Sequence, residues 1–400
     1  MKAAGIDREV EHLCKRYYKP VMGRPSVAPG VYFRMLLIGY VEGLDSERGI
    51  AWRVADSLSL REFLGFGLGE TTPDHSTVSR TRRLYALETH KAVFLWVVKV
   101  LGGEGLLDGQ TVGIDATTLE ANAAMRAIRR RDDGRKYEEY LKELAAAEGL
   151  EEPTREQLAR LDRRRKKKAS NQQWASPSDP DARIAKMKDG RTHLAHKAEN
   201  AVDLDSGAIV AVTLQPADQG DTSTIGETLK EAQANARLLN ARGVEEVVAD
   251  KGYHRGAVLV GLHGESVRSY IPEPERGRRK WAGKAVEQQR VYANRRRMAG
   301  RRGKDLQKLR SELTERSFAH KYETGGMRRV HLRGRDNTLT RLLIQGVGFN
   351  LGLLVREKYG KGKPRGLGRG FDAILGCNIV LAVVNVDWRE ELGAQELAAV

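Results

Sequence analysis

The sequence predicts an α/β fold: a mixed sheet flanked by helices, preceded by an all-helical amino-terminal domain and interrupted after its first strand by a polar helical insertion. Three observations predict it. Apolar residues recur at helical spacing from Pro29 to about Gly102, and from Gly109 the pattern changes to short β-branched runs. At 400 residues the chain also exceeds the size at which one hydrophobic core stops growing.

Taken in order, Tyr32, Leu36, Leu37 and Tyr40, then Trp52, Val54, Ala55 and Leu58, mark amino-terminal helices. The stretch Thr71–Arg83 offers Ser, Thr and Asp as caps for a helix that then carries Arg80, Arg82 and Arg83, and a capped basic helix suits phosphate. Thr111–Ile114, His193–Val202, Ala208–Leu214 and Glu245–Ala249 read as strands, with a hairpin turn at Ser206-Gly207. A helix from about Ser223 to Arg242 ends at Gly243, so the last strand returns parallel to the first and the sheet is mixed. Between the first two strands, about 125–190 is a polar insertion with helices at Lys136–Ala147 and Thr154–Lys168. Leu306–Tyr322 and Asn337–Arg356 are helical in period. The expected organisation is therefore 1–105 helical and DNA-binding, 106–358 the sheet domain, and 359–400 a flexible linker with a short terminal segment.

The composition is that of a globular protein with a heavily charged surface: 40% hydrophobic, 30% charged, net charge +16. Such a surface asks for a polyanion. A membrane is not expected, because the longest apolar stretch, Ala373–Val386, is short and broken by Asn378 and Asn385, and no signal peptide is visible. Two distant cysteines, Cys14 and Cys377, suit neither a disulfide framework nor a zinc site and fit a reducing cytoplasm. His193 and His196, three apart on a strand, point to opposite faces and are not expected to share a metal.

Three acids stand out against this charge. Asp115 follows the first strand among small polar neighbours, and Asp250 ends the fourth, where chemistry gathers in open α/β sheets. The third lies on the helix after residue 306, where periodicity alone does not choose among Glu312, Glu315 and Glu323. A few placed carboxylates in a strongly cationic chain suggest metal-dependent phosphodiester chemistry on nucleic acid. Segment 276–304 holds twelve Lys or Arg against one acid, Glu287, and its Arg278, Arg279, Lys280, Arg295, Arg296, Arg297, Arg301 and Arg302 are expected on DNA. Trp281 and Tyr292 within it are suited to stacking on unpaired bases, and Arg160–Lys168 is a weaker basic run of the same kind.

The blocks Val112-Gly-Ile-Asp115, Val248-Ala-Asp250-Lys-Gly-Tyr253 and Thr314-Glu-Arg-Ser-Phe318, with Asp74-His-Ser-Thr-Val-Ser-Arg80, resemble the transposases of bacterial insertion sequences, which carry a DDE triad on an RNase H-like fold. The match runs from about Pro29 to Arg356. It implies that Asp115, Asp250 and Glu315 are the catalytic acids, holding two Mg2+ ions for which Mn2+ can substitute. It also implies double-stranded DNA partners, terminal inverted repeats and target, and a homodimer assembled on them in the bacterial cytoplasm, at the nucleoid. Relatives surround the glutamate with Tyr, Arg and Lys at fixed offsets, whereas this chain has Lys308, Ser311 and Tyr322 there, with Arg310 and Lys321 one residue out of place. Arg316 and Lys321 are the expected helpers on DNA. Rival readings are an RNase H-like nuclease or resolvase that only hydrolyses, and a DNA-binding regulator with an inert catalytic fold.

Overall fold

A computed structural model describes residues 6–19, 26–165, 169–187, 190–275, 277 and 279–359. The segment expected to be a linker and tail from residue 360, with Cys377, together with Arg278 and Lys166–Lys168, lies outside the described residues.

The amino-terminal region is helical, as its periodicity predicts: α1 (Ile6–Cys14), α2 (Pro29–Val41), α3 (Glu47–Asp56), α4 (Leu58–Leu64), α5 (His75–Leu84) and α6 (Leu87–Gly103). Side-chain caps set three of the starts. Ser46, Ser57 and Asp74 accept from the backbone N–H of Gly49, Leu60 and Thr77, satisfying donors that have no partner inside the helix.

The sheet comprises β1 (Thr111–Glu120), then, after the insertion, β5 (Thr192–Asp203), β6 (Ile209–Pro216), β7 (Glu246–Ala249) and β8 (Arg268–Tyr270). The insertion contributes β2 (Arg129–Arg130), α7 (Tyr137–Ala147), α8 (Arg155–Arg164), β3 (Trp174–Ala175) and β4 (Arg183–Lys186). Helices α9 (Asp221–Ala236), α10 (Gly256–Gly264), α11 (Ala285–Ala299), α12 (Arg301–Ala319) and α13 (Arg335–Tyr359) complete the chain. The order across the sheet is β6-β5-β1-β7-β8, with β4 continuing the β6 edge. β5 and β6 are antiparallel while β1, β7 and β8 are parallel, which is the mixed, helix-flanked sheet of an RNase H-like fold.

Three differences from the sequence reading have physical causes. β1 does not stop at Asp115 but continues to Glu120, because β5 pairs with it as far as Glu120 opposite Ala195. The helix expected over 223–242 is α9, which ends at Ala236 and is followed by a turn in which Gly243 adopts φ +69°. Strands β4 and β8 were not anticipated; each is short and sits at an edge.

One continuous apolar core runs from the amino-terminal helices into the sheet. Helix α13 is its hinge pin, packing against α2, α6 and β6. Among the described residues it is the one helix long and apolar enough to cross a membrane, and most of it is buried inside the fold. The insertion has two small cores of its own, one around Ile128 and Trp174 and one around Leu141 and Leu158. It is tied back to β5 by the buried pair Asp179 and His196, 3.0 Å apart.

Candidate active site

Asp115 and Asp250 are brought together by strand register. β1 and β7 run parallel, with Ile114 opposite Ala249, so the next residue on each strand is an aspartate. The two acids stand side by side where β7 ends, Asp250 just past its last residue and Asp115 midway along β1. Burial pushes the Asp115 carboxyl above its usual range, Arg310 pulls the other way, and the nearby charge of Asp250 adds a smaller upward push. Asp250 begins a single turn of 3₁₀ helix and accepts from the Gly252 N–H at 2.8 Å.

Helix α12 closes over this pair. Gly113, two residues before Asp115 and on the same strand face, leaves room for the Arg310 and Thr314 side chains to lie directly on β1. Arg310 donates to Asp115 Oδ2 at 3.1 Å, and the Thr314 hydroxyl lies 3.3 Å from the same oxygen. One turn further on, Ser317 and Lys321 meet Asn200, the β5 residue paired with Asp115. The stripe facing the sheet is therefore Arg310, Thr314, Ser317 and Lys321, the register one residue before Glu315.

Glu315 is exposed on the adjoining flank, where it accepts from Ser311 at 3.1 Å. That flank borders the same end of the sheet: Gln307, one turn before Ser311, donates to the Ala249 carbonyl, and Tyr322, two turns after Glu315, lies 2.6 Å from Thr117. The rival acids are engaged elsewhere, Glu312 by Arg316 and Glu323 by Arg328. The three acids expected to converge thus form an adjacent pair with a third outside it. Among the described residues no three His, Cys, Asp or Glu side chains stand close enough to grip an ion. The positive charge beside Asp115 comes instead from the Arg310 guanidinium. The donors that are present suit Mg2+ or Mn2+, since carboxylate oxygens are hard ligands.

The Transposase DDE domain model matches residues 114–345, and a second model, Transposase domain (DUF772), matches residues 3–84. The chain belongs to the DDE transposases. Among curated proteins none matches it. Membership implies DNA transposition, a DNA substrate and cleavage and strand-transfer chemistry, and transposases of this family generally use divalent metals.

In this transposase several cations expected on DNA have partners within the protein, some of them in ion pairs at the surface. Lys321 is buried, and its ammonium donates to Asn200 Oδ1 at 2.5 Å. Arg82 is held by Glu47 at 2.7 Å and by Asn337. Arg279 and Arg295 share Glu273, at 2.7 and 2.6 Å, and lie over the rings of Trp281 and Tyr292 respectively. Arg297 donates to the Ser269 carbonyl at 2.9 Å, and Arg302 to the buried Glu246. Arg316 pairs with Glu312. Arg80, Arg83, Lys280, Arg296 and Arg301 are exposed, as are the ion-paired Arg295 and Arg302. Trp281 and Tyr292 pack on each other, centroids 6.0 Å apart, with Tyr292 in part exposed to solvent.

Burial lowers the Lys321 ammonium from 10.5 to about 7. The folded protein therefore binds fewer protons there than the unfolded chain, and stability is expected to rise with pH across that interval and to be flat below it. Urea unfolding at the two ends of the interval checks this; Lys321→Met should remove the rise.

Reading the sequence missed Glu199 altogether. Its one signal is a charged residue among mostly small apolar ones in Ala198-Glu199-Asn200-Ala201-Val202, and the residue is completely buried.

Proposed function

We propose that this transposase binds the ends of its own insertion sequence, cuts a phosphodiester to free a 3′-OH, and joins that hydroxyl to target DNA. The adjacent Asp115 and Asp250 at the mouth of parallel strands carry the reading, because in-line displacement at phosphorus needs anionic oxygen donors fixed side by side. Asp115, Asp250 and Glu315 are the residues that would hold a pair of Mg2+ ions, which supply charge neutralisation at the attacking and leaving oxygens. Arg310, paired with Asp115 in the protein alone, is then free to meet a DNA phosphate. Exposed Arg80, Arg83, Lys280, Arg296 and Arg301 hold the backbone. Two ends must be cut in concert, so a homodimer on DNA is the economical assembly, working in the bacterial cytoplasm on the nucleoid.

The test is a linear duplex bearing the sequences that flank the gene, incubated with the protein and a target plasmid. Joined product is expected with Mg2+ or Mn2+ and none with chelator. DNA binding with no cut product in either metal would overturn the reading. The outward position of Glu315 beside an inward Thr314 favours, as second reading, a DNA-binding regulator with an inert catalytic fold, and that outcome is its signature.

Neutralising Arg296 and Arg301 is expected to reduce the slope of log affinity against log salt by about one unit per lost phosphate contact. The same change at Arg295 and Arg297, which serve Glu273 and Ser269, should lower stability instead.

A further inference from the structure

Behind the acids, on the sheet face opposite α12, lies a buried polar network that the reaction above does not use. Its centre is Glu199 of β5, paired across the sheet with Ala116, the residue after Asp115. Glu199 Oε1 accepts from the hydroxyls of Thr224 and Tyr253, each at 2.8 Å, and Oε2 accepts from Thr228. Lys197, two residues back on the same face, lies 3.9 Å from Glu199 and donates to Asp221 Oδ1 at 2.5 Å. Asp221 in turn abuts the Asp250 turn: a Cβ on Gly252 would fall 2.6 Å from Asp221 Oδ2 and 3.0 Å from Asp250 Oδ1. The short helix carrying Asp250 is thus pinned at its far end by Tyr253, which is fully buried, and flanked by Asp221. Leucine at 199 with phenylalanine at 253 would fill comparable space without taking a carboxylate out of water, so packing does not account for the arrangement.

We propose that Tyr253 and Glu199 are positioning residues that hold Asp250 level with Asp115, one strut anchoring the turn after β7 to the strand beside β1. The proposal rests on the transposase reading of the site. Tyr253→Phe and Glu199→Gln are compared with wild type and Asp115→Asn for cleavage of the same flank-bearing duplex, alongside thermal unfolding. Both variants are expected to lower kcat by about 10- to 100-fold with KM for DNA unchanged, the size of effect seen when the support of a ligand is lost. Wild-type kcat in both, or a loss that merely tracks the folded fraction, would overturn the proposal. An inactive wild type, or an Asp115→Asn protein as active as wild type, would instead overturn the reading on which it rests.

Discussion

Asp115→Asn and Asp250→Asn are each expected to bind DNA while cleaving and joining it at least about 100- to 1,000-fold more slowly, the range for removing one essential charge-stabilising contact. Their stabilities should differ. At position 250 asparagine caps a helix start as well as aspartate does, so the turn to Gly252 survives and the unfolding temperature changes little. At position 115 the amide leaves Arg310, only 12% exposed, without its carboxylate, and the protein should unfold more easily. Glu315→Gln is the informative companion. A loss as large as those of the aspartates places Glu315 in the reacting centre; wild-type activity removes it and leaves the pair of aspartates without a third acid from α12. Strand cleavage, strand transfer and thermal unfolding of the three variants, measured together, separate these outcomes.

Gly113→Ala is the second large effect. A methyl group there would sit 2.8 Å from Leu204, 3.0 Å from Arg310 Cγ and 3.2 Å from Thr314 Cγ2, all closer than van der Waals contact allows. Overpacking of this kind costs about 1–3 kcal/mol. The cost also falls on the helix that presents Arg310 and Thr314 to Asp115 and carries Glu315 on its adjoining flank, so cleavage should drop further than the loss of folded protein explains. Urea unfolding gives the first quantity and single-turnover cleavage the second. Equal losses would mean that α12 can shift without consequence for the reaction.

Strand and helix periodicity made the main elements legible, and with them both aspartates, because Val-Gly-Ile and Val-Val-Ala are buried runs that lead directly into Asp115 and Asp250. The charge segment was legible only in part. A run of Lys and Arg looks solvated when its partners are distant in sequence, and here Arg295 finds Glu273 22 residues away and Arg302 finds Glu246 56 residues away. Lys321 was misplaced for a related reason: a helix pattern of Ser317, Phe318 and Lys321 does not reveal that Asn200 waits beneath it. The role of Glu199 was not legible because its three hydroxyl partners come from α9 and from the turn after β7, which only the folded sheet assembles. The edge strands β4 and β8 have four and three residues, too few for alternation to register.

Helix α13 gives the molecule an order of manufacture. The amino-terminal helices leave the ribosome first, yet the surface of α6 and the neighbouring surface of β6 are sealed by α13, which is made only after every strand of the sheet. Until then the nascent chain carries an open apolar seam, and growing chains fold a unit only when its parts are present. A chain cut short before this helix is therefore expected to leave the apolar faces of α6 and β6 uncovered, so that the amino-terminal helices and the sheet depend on one late segment for a shared core.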